Sequence, residues 1–415
     1  MDILVYADWI ELEEPVLMGT LSVAHSKGRE IFSFAYNKGW LDRGLAQTLD
    51  PDLQLFTGTQ YLSTGKKNFG IFLDSSPDRW GRVLMVRREA ISARMESRKA
   101  KTLFEEDYLL GVFDAHRMGA VRFKKETTGP FLHDNAVLAS PPWTSLRELE
   151  FASLQLEKDV LTDQESLKWL NMLMAPGASL GGARPKASVI DVKDHLWIAK
   201  FPSGNDPVDT GGWEMVVNML AKEAGLNIAD GQVKKFNSKH HTFLSKRFDR
   251  VKGNGRIHFA SAMTLLGYSD GAEGASYLNL AEFIIQKGAN VKGDLEELWR
   301  RIVFNISVKN TDDHLRNHGF LLTPLGWVLS PAFDVNPVYH GRGLTLNISE
   351  TDNSLDFDLA SSVAKYFRVS ENKATTIISK VRKAAGNWQK FAKAYKIPAS
   401  EQDLMAQAFE KSAPK

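Results

Sequence analysis

Asp312, Asn317 and Asp334 set the chemical question this chain poses. They lie in NTDDHLRNHGFLLTPLGWVLSPAFD, residues 310–334, which holds three aspartates, two histidines and two asparagines among apolar segments. Asp312 and Asn317 stand five positions apart. That interval lets one loop offer a base to a hydroxyl and an amide oxygen to a cation. HGFLL, a turn at TPLG and WVLS predict a β-hairpin that carries the chain from Asn317 to Asp334, which then emerges at a strand end beside the metal position. Oxygen ligands of this type suit magnesium. Asp313 competes for the role of base, but only Asp312 has an asparagine five positions later. His314 suits a hydrogen bond around the loop rather than catalysis, and His318 and Asp249 read as structural.

Phosphoryl transfer also needs a glycine-rich loop over the phosphates, a lysine on a strand, and a carboxylate on a helix to orient that lysine. Each has a candidate upstream. GASLGGARPK, residues 177–186, is a glycine-rich loop whose backbone can approach an anion closely. A plain hairpin turn would use glycine as well. Lys200 ends the apolar strand LWIAKF, where a snorkelling edge lysine is the ordinary alternative. Glu214 is expected in the first turn of the next helix, to pair with Lys200 or simply to complement the helix dipole. The ordered set, rather than any single member, favours phosphoryl transfer.

These residues need elements to hold them. MDILVYAD, LMGTLSVAH and EIFSFAYN predict short strands, and SPDRWGRVLMVRREAISARMESRKAK predicts a helix with Ser76 as N-cap and Pro77 at its first position. The turn-rich TTGPFLHDNAVLASPPWTS places a domain boundary near residue 140, and Ser145 opens the capping box SLRE. ASVIDV and HLWIAKF are strand candidates joined by a turn at Lys193 and Asp194, and WEMVVNMLAKEAGL is a helix stopped by Gly225. Beyond residue 259 most segments read as helix. The expectation is an α+β chain of two domains, 1–140 and 141–415.

Composition excludes several classes. With no cysteine there is no disulfide, thiolate nucleophile or cysteine-held metal. No run of about 18 apolar residues predicts a membrane span, and the first residues lack the order of a secretory signal. The expectation is a cytoplasmic protein that binds no membrane. A net charge of +2 marks the whole chain as neither a strongly basic, indiscriminate nucleic-acid binder nor an acidic mimic.

Over nearly its whole length the chain resembles the HipA-type serine/threonine kinases of bacterial toxin–antitoxin systems. SLGGARPKA is similar to their phosphate loop, WIAKFP to the lysine strand and SKRFDR to the inter-lobe hinge. NTDDHLRNHGFLL resembles their catalytic loop, SPAFDV the metal segment, and SPDRWGR and GAVRF the N-terminal module. The resemblance implies a two-lobed protein-kinase-like fold, with a β-rich N-terminal domain and a mostly helical C-terminal lobe. It implies Asp312 as base and Asn317 and Asp334 as Mg2+ ligands. ATP would meet Gly181, Gly182, Ala183, Arg184, Pro185, Lys186 and Lys200, the segment Lys246, Arg247 and Phe248, and His314 and Asn317. Ser179 matches the autophosphorylation position, where added negative charge opposes the phosphates of ATP. GGARPK, with Arg184 and Pro185, departs from some members. The implied partners are a helix-turn-helix antitoxin of the HipB type, operator DNA mainly through that antitoxin, and a protein substrate such as an aminoacyl-tRNA synthetase.

A second reading is a DNA-bound co-repressor. Arg82, Arg87, Arg88, Arg94, Arg98, Lys99 and Lys101 make one helical segment basic, and KVRKAAGNWQKFAKAYK carries six more lysines and arginines.

Overall fold

The computed structural model describes residues 1–44, 47–63, 65–135, 140–158, 162–173, 182, 184–251 and 255–412. They pack as two compact units: Met1–Gly204 with Arg247–Ser269, and Asn205–Lys246 with Asp270–Lys415.

The first unit opens with alternating sequence, and alternation makes a half-buried sheet. Strands β1 (Asp2–Ala7), β2 (Val16–Ser26), β3 (Arg29–Tyr36), β4 (Gln60–Tyr61) and β5 (Val121–Lys124) pair antiparallel in the order β4-β3-β2-β1-β5. Ile3, Val5 and Ala7 of β1 and Phe32, Phe34 and Tyr36 of β3 face the core. There Phe34 meets Phe69 and Phe72, and Phe72 meets Phe123 at 5.8 Å. Such ring pairs contribute about 0.5–1.5 kcal/mol each beyond their burial.

The following helix, Arg79–Met95, starts later than its sequence suggests. Asp78 is the N-cap, its Oδ1 accepting the Gly81 N–H at 2.8 Å. Ser76 is already committed, because its hydroxyl donates to Phe72 O at 2.8 Å, so Pro77 precedes the helix. Further along, β6 (Lys186–Ile190) and β7 (Leu196–Lys200) form an antiparallel hairpin in which Lys186 lies opposite Lys200. Asp191 Oδ1 closes its turn by accepting the N–H groups of Lys193 and His195 at 2.8 and 2.9 Å.

In the second unit, helix Thr210–Ala224 is capped by Asp209 and stopped by Gly225 at φ +85°. Strands β8 (Gly231–Lys234) and β9 (Thr242–Lys246) pair antiparallel. The centre is helix Val291–Val308, buried almost continuously from Leu298 onward. Trp299 Nε1 donates to Ala360 O at 2.9 Å, and Trp388 stacks on Phe409 at 4.9 Å. The expected hairpin is present as Gly319–Thr323 and Gly326–Leu329, with Phe320 opposite Leu329. Gly326 turns at φ +130°, and a Cβ there would lie 2.6 Å from Lys287 O. The fold class is the expected α+β, strand-rich at its beginning and mostly helical toward its end. No helix among the described residues is long and apolar enough to cross a membrane.

Candidate active site

Helix Val291–Val308 delivers the polar loop. Its C-cap, Lys309, turns left-handed at φ +51°, and the Asn310 N–H returns to Asn305 O at 2.9 Å. The chain reverses there and enters the 3₁₀ turn Leu315–Asn317. Asp294, in the same helix, accepts the Leu329 N–H at 2.8 Å and so fixes the hairpin beyond the loop.

The two neighbouring aspartates have opposite surroundings. Asp313 is buried, and its Oδ2 accepts from the Tyr277 hydroxyl and from Asn305 Nδ2 at 2.8 Å, with His318 Nε2 at 2.9 Å. Burial pushes the Asp313 carboxyl up, but the facing His318 and the hydrogen bonds outweigh burial and hold it below the ordinary range. Burial and the Asp313 carboxylate drive the Tyr277 phenol well above its ordinary value. Asp313 is thus a fixed anion that pins the loop to two helices. Asp312 is exposed. Partial desolvation raises its carboxyl, His314 opposes this, and Asp334 and Asp313 add to the upward shift. A carboxyl open to solvent and raised toward neutrality is suited to accept a proton.

Asn317 is buried. Its Nδ2 donates to Asp312 O at 3.0 Å, while its Oδ1 has no hydrogen-bond partner among the described residues. A buried carbonyl oxygen without a donor is costly, and a cation would relieve that cost. Asp334 is half-buried in left-handed backbone at φ +56°, a conformation aspartate tolerates better than most residues. The segment before it is anchored by Arg301, whose guanidinium donates to Ser330 O at 2.7 Å, and by the Ala332 N–H on Asn227 O at 2.8 Å. Asn336 Nδ2 donates to Asp334 Oδ1 at 3.2 Å. The Asn336 N–H meets Asn310 Oδ1 at 3.3 Å, and Asn310 Nδ2 meets Asn305 Oδ1 at 3.1 Å. This chain of bonds ties the Asp334 segment to the Asp313 network, bringing Asp312, Asn317 and Asp334 together. The donor set, one amide oxygen and one carboxylate, fits a hard divalent cation such as Mg2+. His314 Nδ1 is also buried without a partner among the described residues.

Glu214 is buried in the second unit, but as the fifth residue of its helix it lies beyond the first turn. The mismatch arises because Asp209 caps the helix four residues before the apolar pattern begins at Trp213. Lys246 ends β9, its N–H donating to Asp230 O at 2.8 Å.

The first unit holds the remaining candidates. Ser179, Gly181 and Ala183 lie outside the described residues. Gly182 has φ +100°, Arg184 is half-buried, Pro185 is buried, and Lys186 begins β6. Lys200 ends β7. The Arg247 guanidinium is buried on Asp249, with Nε to Oδ1 at 2.8 Å, and also reaches the backbone oxygens of His116 and Arg117. Burial raises the Asp249 carboxyl, but Arg247, Arg250 and the Gly119 N–H prevail and hold it at about 2. The Phe248 ring lies 5.9 Å from that of Phe259.

Sequence reasoning passed over Tyr277, Asn305, Asn310 and Asn336. The asparagines near Asp312 and Asp334 were a usable signal, since unexplained amides beside paired carboxylates suggest a network. Tyr277 gave none, being one aromatic among many in apolar helices.

Residues 178–388, half of the chain, match the family model for the HipA-like C-terminal domain. A curated relative from Haemophilus influenzae, a putative kinase, is 28% identical over 166 residues, 35% of this chain and 48% of that protein. The serine/threonine-protein kinase toxin HipA of Shewanella oneidensis is 23% identical over 266 residues, 55% of this chain and 59% of the toxin. The chain thus spans about half the length of the curated relatives it matches. A solved complex of Shewanella oneidensis HipA, HipB and operator DNA contains a similar chain, with TM-score 0.63, 17% identity and coverage of 99% of this chain and 95% of that one. The fold is therefore of the kinase-like HipA class. The chain belongs to the HipA family.

Proposed function

We propose that this chain is an ATP-dependent serine/threonine protein kinase and the toxin of a toxin–antitoxin pair, phosphorylating a translation component such as an aminoacyl-tRNA synthetase. The observation that carries the proposal is the division of labour on one loop, with Asp313 locked in the fold, Asp312 exposed, and the Asn317 amide oxygen left over. Family membership supports it.

In the proposed reaction a substrate hydroxyl attacks the terminal phosphorus of ATP. The new oxygen–phosphorus bond forms, the bond to the bridging oxygen breaks, ADP leaves, and Asp312 takes the hydroxyl proton. Asn317 Oδ1 and Asp334 would hold Mg2+, which when bound offsets phosphate charge. Lys200 and residues 181–186 would contact the phosphates, Glu214 would orient Lys200, and Lys246 to Phe248 would face adenine with His314 nearby. Phosphorylation of Ser179 would turn the enzyme off by placing negative charge where ATP brings its own. The module boundary near residue 140 belongs to the same proposal, as do a HipB-type antitoxin and operator DNA as partners, and a cytoplasmic location.

The co-repressor reading gains little from the first basic segment, whose helix ends at Met95 and much of whose charge is spent inside the unit. Arg82 makes two 2.7 Å bonds to Glu105, Arg87 donates to Leu156 O at 2.8 Å, Arg94 pairs with Asp163 and Lys101 with Asp107. DNA contact through the antitoxin is the better-supported form of that reading.

The test is incubation with ATP and magnesium, alone and with bacterial lysate, followed by mass spectrometry. New phosphoserine or phosphothreonine on a translation protein, and on Ser179, is expected. A lysate and chain without new phosphate would overturn the proposal.

A further inference from the structure

The SPDRWGR segment and the last residue of the phosphate loop hold one another inside the first unit. Lys186 Nζ donates to Asp78 Oδ2 at 2.6 Å, and the two side chains are only 4% and 6% exposed. Trp80 Nε1 donates to Lys186 O at 3.2 Å. The ammonium also reaches Gly182 O at 3.4 Å, and it lies 3.3 Å from where a Cβ of Gly182 would stand. At φ +100°, Gly182 makes a turn that leaves room for it.

Lys186 and Lys200 are directly opposed at the end of the β6–β7 ladder. Opposed residues project from the same face, where like charges repel. A buried carboxylate on one of the pair offsets that repulsion and holds a long, flexible side chain in one orientation.

We propose that Asp78 is a positioning residue for ATP, holding Lys186 so that Lys186 and Lys200 together face the phosphates. This rests on the reading of residues 177–186 as the phosphate loop. A competing effect must be weighed, because Asp78 would hold Lys186 back if the lysine had to leave it for ATP. Leaving would strand a buried carboxylate without its partner, which is strongly unfavourable, whereas staying keeps the buried 2.6 Å ion pair intact. Retention wins, and the role is orientation. Protein kinases use the same physical device when a carboxylate on a helix orients a strand lysine.

Asparagine is as good an N-cap as aspartate, so Asp78→Asn removes the charge while keeping the helix start. ATP affinity with magnesium, measured by calorimetry, should fall about tenfold in Asp78→Asn and in Lys186→Met, about 1.4 kcal/mol each. The double variant should bind no more weakly than Lys186→Met, and Asp78→Glu should recover part of the loss. In phosphate transfer by Asp78→Asn, KM for ATP should rise by more than kcat falls. Full affinity in Asp78→Asn beside a weakened Lys186→Met overturns the role of Asp78, as does a double variant another tenfold weaker than Lys186→Met. Full affinity in Lys186→Met shows instead that Lys186 does not serve the phosphates, and the role of Asp78 falls with it. If the unpaired lysine prevents Asp78→Asn from folding, Lys186→Met and the double variant decide the matter by the same comparison.

Discussion

The side-chain nitrogen of Asn317 donates to the main-chain oxygen of Asp312, five residues earlier, at 3.0 Å. The 3₁₀ turn itself is closed by the Asn317 N–H on His314 O at 2.8 Å. The side-chain bond ties that turn back to the start of the loop and leaves Asn317 Oδ1 buried without a donor among the described residues. The five-residue interval has a physical cause: it is the span over which the amide can reach back to the loop carbonyl.

Replacing Asn317 by alanine should therefore impair cation use. With ATP fixed, the magnesium concentration at half-saturation should rise about tenfold or more, the scale seen when a metal site loses a supporting group. Titration calorimetry reads this directly. An unchanged magnesium requirement would remove Asn317 from the metal site.

Asp312 and Asp313 should respond to alanine in opposite ways. Asp313→Ala strands Tyr277, Asn305 and His318 around a buried gap. It should cost about 3 kcal/mol of stability, seen as a lower midpoint in thermal or urea unfolding. Asp312→Ala, at an exposed position, should change stability by no more than about 0.5 kcal/mol. Equal losses would contradict the division of roles.

His258 gives a pH signature unrelated to the active site. Burial lowers its imidazole from the ordinary value of 6.5 to about 3. The unfolded chain therefore binds this proton first as pH falls. The contribution is complete above pH 6.5 and is lost on the way down toward 3. The His258 share of the loss is about 1.4 kcal/mol per pH unit once below that ordinary value. Urea unfolding between about pH 7 and 5 should show a shallower acid-side decline in His258→Gln than in the wild-type chain. Identical slopes would rule out a buried neutral imidazole.

Much of this arrangement was legible in the sequence. Alternation in β1 and β3 marked one face of the first sheet, Gly225 marked a helix end, and TPLG marked the hairpin turn. The spacing of Asp312 and Asn317 marked the loop. What was not legible depended on side chains that had already found other partners. Ser76 has the residue type of an N-cap, but its hydroxyl is engaged on Phe72 O, and Asp78 caps the helix instead. The choice between Asp312 and Asp313 rests on spacing in the sequence, which carries no sign that Asp313 is buried and Asp312 exposed. Arginines that read as a basic face proved to be internal ties, because their carboxylate partners lie far away in sequence, as with Arg94 and Asp163.

The most direct test compares transfer of labelled phosphate from ATP by the wild-type chain and by Asp312→Asn, with unfolding curves run in parallel. The expected result is a loss of about a hundredfold to ten-thousandfold in rate, the contribution of a general base, with an unchanged unfolding midpoint. Transfer at the wild-type rate by Asp312→Asn would contradict the assignment of Asp312 as base.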